Sequence, residues 1–561
     1  MGQSLSQLYV HLIFSTKGRE PPLLGRSKPR PYGATPNADP LKGGMMFKTG
    51  IKNFAIKGLG LLSLGLICGL SLMAAGPANQ EQQPAAAEDA SSPQASSSSS
   101  SSAAQSAPAV GASHYNAASA SASSRQSAAP ASKPPADPEA GWTPATYINS
   151  WLPSWLRLSG DFRFRQEGRT GYGFIPDNDY ATGLTRTRIN LDITPTSWFH
   201  AFVQARDSEA IGRVPANLYS AARDVFDLSQ AYIEFRNGEN GWFSLKTGRQ
   251  LLYFGDERLV ARSEWSNAGR SFDAVRLSLG SDNVGPWLNN VGVHLDLFAA
   301  SVVKNYPTSF DQVLPGQNFY GLNVAFTKVV PKATLEPYVY LKTLPNVTGA
   351  DKKPGNERLY TTGLRVGGAI PGGFDYRVRY SYQSGHLADN SIHASAYYGI
   401  LGYTLPGRFQ PRFSIEYNYA SGNKAIGSSV TGTFDQLYPT THQWRRITDL
   451  FGEQNIKDLK PGFDFRPAKK LRMYLVYSDL SLASKYDSLY SNTASVLVKV
   501  PKGGALSTKV GNEADFYGTY DVNRRLQIGA GYGHLWAGQF LKENSKGADS
   551  SYPYGFIDYI F

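Results

Sequence analysis

From Trp155 to Phe561 the polarity of the chain alternates over stretches of about ten residues, the length that crosses a bilayer as a tilted strand. A period of two places one set of side chains on each strand face. In the first stretch, Leu156, Leu158, Phe162 and Phe164 share one face, and Arg157, Ser159, Asp161, Arg163 and Arg165 the other. The second opposes Thr187, Ile189, Leu191 and Ile193 to Arg186, Arg188, Asn190 and Asp192. The turn Thr194-Pro195-Thr196-Ser197 follows, with Pro in a favourable place, then Trp198 and Phe199 at the level of an interfacial aromatic girdle. The pattern predicts an all-β fold, a transmembrane antiparallel β-barrel with its apolar face to lipid.

Further inward positions follow by parity: Gln204 with Arg206, Gln230, Glu234 and Arg236, Lys246, Arg276, Glu336 with Lys342, Arg377 with Arg379, Arg412 with Glu416, and Arg472. Short turns recur at 237–240, 331–332, 371–373, 406–407, 467–470 and 522–524, and the largest long connection runs from about Ala420 to Asn455. Nine up–down pairs give about 18 strands, with 16 and 20 as the neighbouring counts, and an even count puts both ends of the barrel on the periplasmic side. Ile557, Tyr559 and the terminal Phe561 share one face, as expected of a signal read by barrel-insertion machinery. A soluble all-β repeat protein would explain the alternation, but not an export signal, the asymmetric loops and the terminal Phe together. A barrel of this size leaves an aqueous channel.

Composition agrees. The chain has 33 Tyr, which suit strands and membrane interfaces. The mean hydropathy of −0.33 is too polar for a bundle of membrane helices. From Trp155 onward, 45 Lys and Arg face 37 Asp and Glu, and this positive excess biases ion traffic if it lines a water-filled bore. No clustered basic motif points to nucleic acid. The eight His are scattered without metal-ligand spacing, so no metal or other cofactor is expected.

The front of the chain reads differently. Met45-Met46-Phe47-Lys48 opens a basic segment with Lys52 and Lys57; an apolar run from Gly58 to Met73 and the small residues Ala74-Ala75-Gly76 follow. That is a secretory signal over 45–76, too short for a spanning anchor. Cys68, the single cysteine, sits in its apolar run and excludes an internal disulfide. Residues 77–154, rich in Ala, Ser and Pro, are expected to be a disordered linker. The segment from Ser4 to Lys17 resembles the opening of HUH-class tyrosine transposases. The resemblance covers only 1–22, the catalytic His pair and Tyr are absent, and 1–44 reads as a spurious or fused upstream segment.

Two blocks carry a longer resemblance. The first joins Leu245-Lys246-Thr247-Gly248-Arg249-Gln250 to Tyr253-Phe254-Gly255-Asp256-Glu257-Arg258-Leu259-Val260 and to the run from Glu264-Trp265-Ser266-Asn267 through Arg270 to Arg276. The second joins Phe434-Asp435-Gln436-Leu437-Tyr438-Pro439-Thr440 to Asp449-Leu450-Phe451-Gly452 and Asn455-Ile456-Lys457-Asp458-Leu459. Over 155–561 the chain resembles the alginate export family of outer-membrane porins. The resemblance implies an 18-stranded monomeric channel with an arginine-rich constriction for an anionic uronate polymer. A polyuronate carries a carboxylate on every sugar, and the Arg fork meets a carboxylate in two bonds.

The expected substrate contacts are therefore Arg163, Arg165, Arg186, Arg188, Arg206, Arg276, Arg377, Arg379 and Arg412 from the wall, with Arg249 and Arg270 bordering the constriction from an infolded loop. For each, the competing reading is a salt-bridge partner that only stiffens the wall. The expected partners are an anionic polysaccharide or anionic solute, outer-membrane lipid, the insertion machinery at Phe561, and periplasmic export components. A general anion-selective porin is the alternative. An outer-membrane lipase is another, since His393-Ala394-Ser395 has a lipase-like spacing, although no motif supplies an orienting Asn. A purely structural or adhesive barrel would have a plugged bore.

Overall fold

The computed structural model describes residues 142–238, 241–280, 291–349, 352–440, 442 and 446–561. The expected upstream segment, signal and most of the linker lie outside these residues. Among the described residues, eighteen strands form the wall. They are β1 (Leu156–Arg169), β2 (Tyr180–Thr196), β3 (Phe199–Gly212), β4 (Asp224–Arg236), β5 (Phe243–Gln250) and β6 (Phe272–Leu279). Next come β7 (Val293–Lys304), β8 (Gln312–Phe326), β9 (Ala333–Thr348), β10 (Pro354–Ile370), β11 (Phe374–Leu387) and β12 (Asn390–Thr404). The last are β13 (Arg412–Ala420), β14 (Ile456–Ala468), β15 (Leu471–Leu482), β16 (Lys509–Asp521), β17 (Leu526–Ala537) and β18 (Ser550–Ile560). A two-residue segment, Val430–Thr431, joins β12 in parallel and belongs to a loop, not to the wall.

Each wall strand pairs antiparallel with its neighbour, and β1 pairs with β18 from Asp161↔Ile560 to Glu167↔Tyr554, which closes the sheet. Closure leaves the sheet without a free edge strand, as a bilayer requires. Gly160 makes the last rung with Phe561, N to O at 3.0 Å and 2.9 Å. A Cβ on Gly160 would meet the Phe561 ring at 2.5 Å and the Arg188 carbonyl at 2.4 Å, so only glycine admits the terminal ring.

The alternation sorts as expected. Ile189, Leu297, Val339, Val378, Leu401, Ile415, Leu475 and Ile557 are exposed on the outer face. Arg163, Arg165, Arg186, Glu234, Arg377, Arg379 and Glu416 are buried on the inner one. At the short-turn rim Trp198 stacks on Phe235 and Phe374 lies 4.5 Å from Tyr403, forming an aromatic belt.

Three expectations need correction. The β2–β3 turn is Ser197-Trp198, because β2 continues through Pro195 to Thr196. A register shift between Ile193 and Thr196 leaves the proline, which has no N–H, outside the regular ladder. On the opposite rim the connections are not uniformly long, and β11 turns into β12 through Ala388-Asp389 alone. The expected linker also stops early: residues 144–149 form a short helix, α1 (Pro144–Asn149), capped by Thr143 and Thr146.

Candidate functional site

Three long connections on one rim, residues 251–271, 421–455 and 483–508, fold into the barrel. The first two pair briefly in parallel at Val260↔Tyr438, with hydrogen bonds Ala261 N to Tyr438 O (2.9 Å) and Tyr438 N to Leu259 O (2.8 Å). The second and third meet at Phe451↔Ser491. Their apolar residues pack on inward aromatics of the wall. Phe254 stacks 5.2 Å from Phe298 of β7, and Tyr438 meets Phe319 of β8 edge-on at 4.9 Å. The loop half of the barrel is therefore a packed interior, not the open bore that strand number alone suggests.

On the β1–β2 wall, four expected arginines hold the 251–271 loop. Arg163 donates to the carbonyls of Glu264 (2.8 Å) and Trp265 (2.9 Å), Arg165 to Trp265 O (2.7 Å) and Arg186 to Glu264 O (2.8 Å). Arg188 bridges Asp161 (2.8 Å) of its own wall and the Glu264 carboxylate (2.9 Å) of the loop. Trp265 is wholly buried. The Arg165 guanidinium lies 3.8 Å over one side of its ring system and His442 stacks at 4.1 Å. His442 is itself hydrogen-bonded to Asp449 (2.7 Å). Burial pushes the Glu264 carboxyl up, but Arg188, Arg186, Arg262 and Arg163 outweigh it and hold it at about 2.

The β9–β13 wall carries a second cluster. Arg258, from the same loop, reaches Glu416 (3.0 Å) and Asn418 (2.9 Å) and lies 3.9 Å over the Tyr398 ring. Tyr398 donates to Asp256, Arg365 pairs with Glu336, and Arg379 pairs with Glu453 from the 421–455 connection. Burial raises the Asp256 carboxyl, yet Arg258, Arg365 and Arg379 carry it below the ordinary range. Lys342 meets Asp435 of that connection at 2.5 Å.

Register sharpens the picture. Arg163 stands directly opposite Arg186, Arg188 opposite Arg206, and Arg365 opposite Arg379. Like charges directly opposed across strands destabilise a sheet. For Arg186, Arg188 and Arg379 a carboxylate partner comes from a loop, Glu264 or Glu453.

The other expected residues divide. Arg206 pairs with Asp224 (2.5 Å), Arg276 with Asp296 (2.8 Å), and Arg412 with Asp375 (2.8 Å) and Asp464 (3.0 Å), all acids of the wall. Arg377 is buried on the inner face of β11. Arg249 is not in a loop. It lies on β5 opposite Ala231 and Asp273, which puts it on the outward parity, paired with Asp273 at 2.8 Å. The β5 strand runs on to Gln250, two residues past Gly248, so the loop begins later than its polar composition suggests. Arg270 is in the loop but buried between connections. It donates weakly to Pro439 O (3.4 Å), and burial lowers its guanidinium to about 10 against the opposing pull of Tyr438.

Sequence reasoning missed Arg365, which the parity of β10 would have found, and Arg258, Arg262 and Glu453, which only loop packing places. On the outer face, His393 Nδ1 is 2.9 Å from Tyr382 Oη; among the described residues no hydrogen bond joins it to Ser395. The described residues hold no cluster of His, Cys, Asp and Glu that could bind a metal.

The sequence profile of the family described as alginate export matches residues 154–554. Among solved structures, Pseudomonas aeruginosa OpdQ aligns with TM-score 0.49 and 12% identity, covering 72% of this chain and 98% of that one. Acinetobacter baumannii OccAB2 aligns with TM-score 0.49 and 11% identity, again over 72% and 98%. No curated protein matches by sequence. The profile match spans nearly the whole barrel, and the chain therefore belongs to the alginate export family, as an eighteen-stranded outer-membrane channel.

Proposed function

We propose that the channel passes an anionic polysaccharide such as alginate, or related anionic solutes, along arginines of the inner wall. The observation that carries this reading is the opposed arginine rungs with counterions supplied by loops. A strand-borne acid is fixed beside its arginine, whereas a loop-borne acid can leave. Glu264 on Arg186 and Arg188, and Glu453 on Arg379, occupy the positions that uronate carboxylates would take. Each exchange replaces one charge-assisted pair by another, so the polymer is attracted without being trapped. Arg163 and Arg377 extend the track. Arg165, Arg206, Arg276, Arg365 and Arg412, paired with acids of the wall, tune the field beside it. On this reading Arg249 and Arg270 do not touch the solute.

The remaining parts fit the same route. Residues 45–76 direct export, 77–141 tether the barrel on the periplasmic side within reach of export components, and 1–44 play no part in transport. The terminal Phe561 presents the barrel to the insertion machinery.

Planar-bilayer recording tests the proposal. Oligouronate should block chloride current from at least one side. Arg188→Ala or Arg379→Ala should weaken the block by about 1 kcal/mol or more per lost charged hydrogen bond. Changing the outward Ile189 or Val378 to Leu should leave it unchanged. Equal block by neutral oligosaccharides would reduce the protein to a general porin.

A further inference from the structure

We propose that residues 142–151 form an interfacial anchor that lies in the lipid headgroup boundary at the short-turn rim and covers the notch where β1 and β18 meet. The notch is a gap in the pairing. The β18 strand pairs with β1 as far as Ile560 opposite Asp161, Phe561 pairs with Gly160, and among the described residues no strand pairs with β1 below Gly160 on that side. The N–H and C=O of Leu158 would point into the membrane boundary unpaired. Such a group left in an apolar medium is strongly unfavourable.

The Asn149 side chain takes both: Nδ2 donates to Leu158 O at 2.7 Å and Oδ1 accepts from Leu158 N at 2.7 Å. One amide thus continues the ladder by a rung. The rest of the segment suits a lipid neighbour. From Trp142 to Leu156 there is no charged residue. Trp142 and Trp151 are each 75% exposed, and Tyr147 and Ile148 are exposed beside them. Tyr147 and Trp151 meet edge-on at 6.0 Å. Trp and Tyr concentrate at the membrane–water boundary, where the ring is half apolar and half wet. The same rim already carries exposed Trp198 and Trp242 on the outer belt, so the segment continues that belt across the seam. Thr143 and Thr146 fix its start by reciprocal capping.

Spin labels at Ile148→Cys and Trp151→Cys, in a Cys68→Ser background, test this in phosphatidylethanolamine–phosphatidylglycerol vesicles. Val378→Cys on the outer face and Leu506→Cys, 93% exposed in a loop, are the membrane and water references. The ratio of oxygen to nickel-complex accessibility should lie between the references, several-fold above that at Leu506. A ratio equal to that at Leu506 overturns the proposal and leaves the aromatics free or reserved for a protein partner. A ratio equal to that at Val378 overturns the interfacial depth. Asn149→Ala should move both labels toward the water reference. Unchanged labels would remove Asn149 from the anchor. If the Trp151 variant fails to insert, the Ile148 label decides.

Discussion

Glu264→Gln is the most direct test of the loop-borne counterions. The carboxyl is held at about 2 against an ordinary 4.5, mainly by Arg188 and Arg186 once burial is overcome. At roughly 1.4 kcal/mol per tenfold, the charged form binds its surroundings more tightly by about 3 kcal/mol. A quarter of the side chain is exposed, and solvent screening lowers the useful figure to about 2 kcal/mol. The amide keeps the shape and loses the charge, so docking of the 251–271 loop on β2 should weaken by about that amount, roughly thirtyfold in its opening equilibrium. Arg186 and Arg188 would then face the bore with only the wall acids Asp161 and Asp558 nearby. In a salt gradient across a planar bilayer, the reversal potential should move toward chloride and open-channel noise should rise. Because the folded carboxyl is depressed, its stabilisation is complete above pH 4.5 and is lost as pH falls toward 2. Acid should therefore reproduce the variant's behaviour in the wild type and change the variant itself less. An unchanged reversal potential, or one displaced toward potassium, would refute the reasoning.

Trp265→Ala removes a buried ring gripped by Arg165 and His442; about 3–5 kcal/mol of loop packing should go with it, and protease added from the long-loop side should cut within 251–271. Protection equal to wild type would show the loop is held elsewhere. Gly160→Val sets a side chain against the Phe561 ring and the Arg188 carbonyl, so the seam should close poorly, at a penalty of about 1–3 kcal/mol, and the heat-modifiable band on gels should shift to a lower temperature. An unshifted band would mean the seam tolerates the intrusion. Mature protein from outer membranes should begin between Ala75 and Asn79, and N-terminal sequencing that returns Gly2 or Gln3 would overturn the signal assignment.

The sequence by itself determined the wall. A strand has only two faces, so parity placed Arg163, Arg165, Arg186, Arg188, Arg377, Arg379 and Arg412 inward without any knowledge of neighbours. It also narrowed the strand count to about 18, with 16 and 20 still open, since each crossing must be long enough to span lipid and each turn must carry its own punctuation; strand pairing decided on eighteen. The same parity applies to Arg365 on β10, which is buried on the inner face. It failed at Arg249, where residues read as loop are still strand, because a polar strand end near the rim looks like a loop when no cross-strand partner is known.

Tertiary structure decided what the arginines face. Loop residues have no period, so nothing local reveals that Glu264 returns to β2, that Glu453 reaches Arg379, or that Arg258 crosses to Glu416. Strand register likewise depends on pairing between segments, and it alone sets Arg163 against Arg186 and Arg365 against Arg379. Alternation is a property of one strand and can be read along the chain. Charge compensation is a property of groups distant in sequence and exists only once the barrel has closed around its loops.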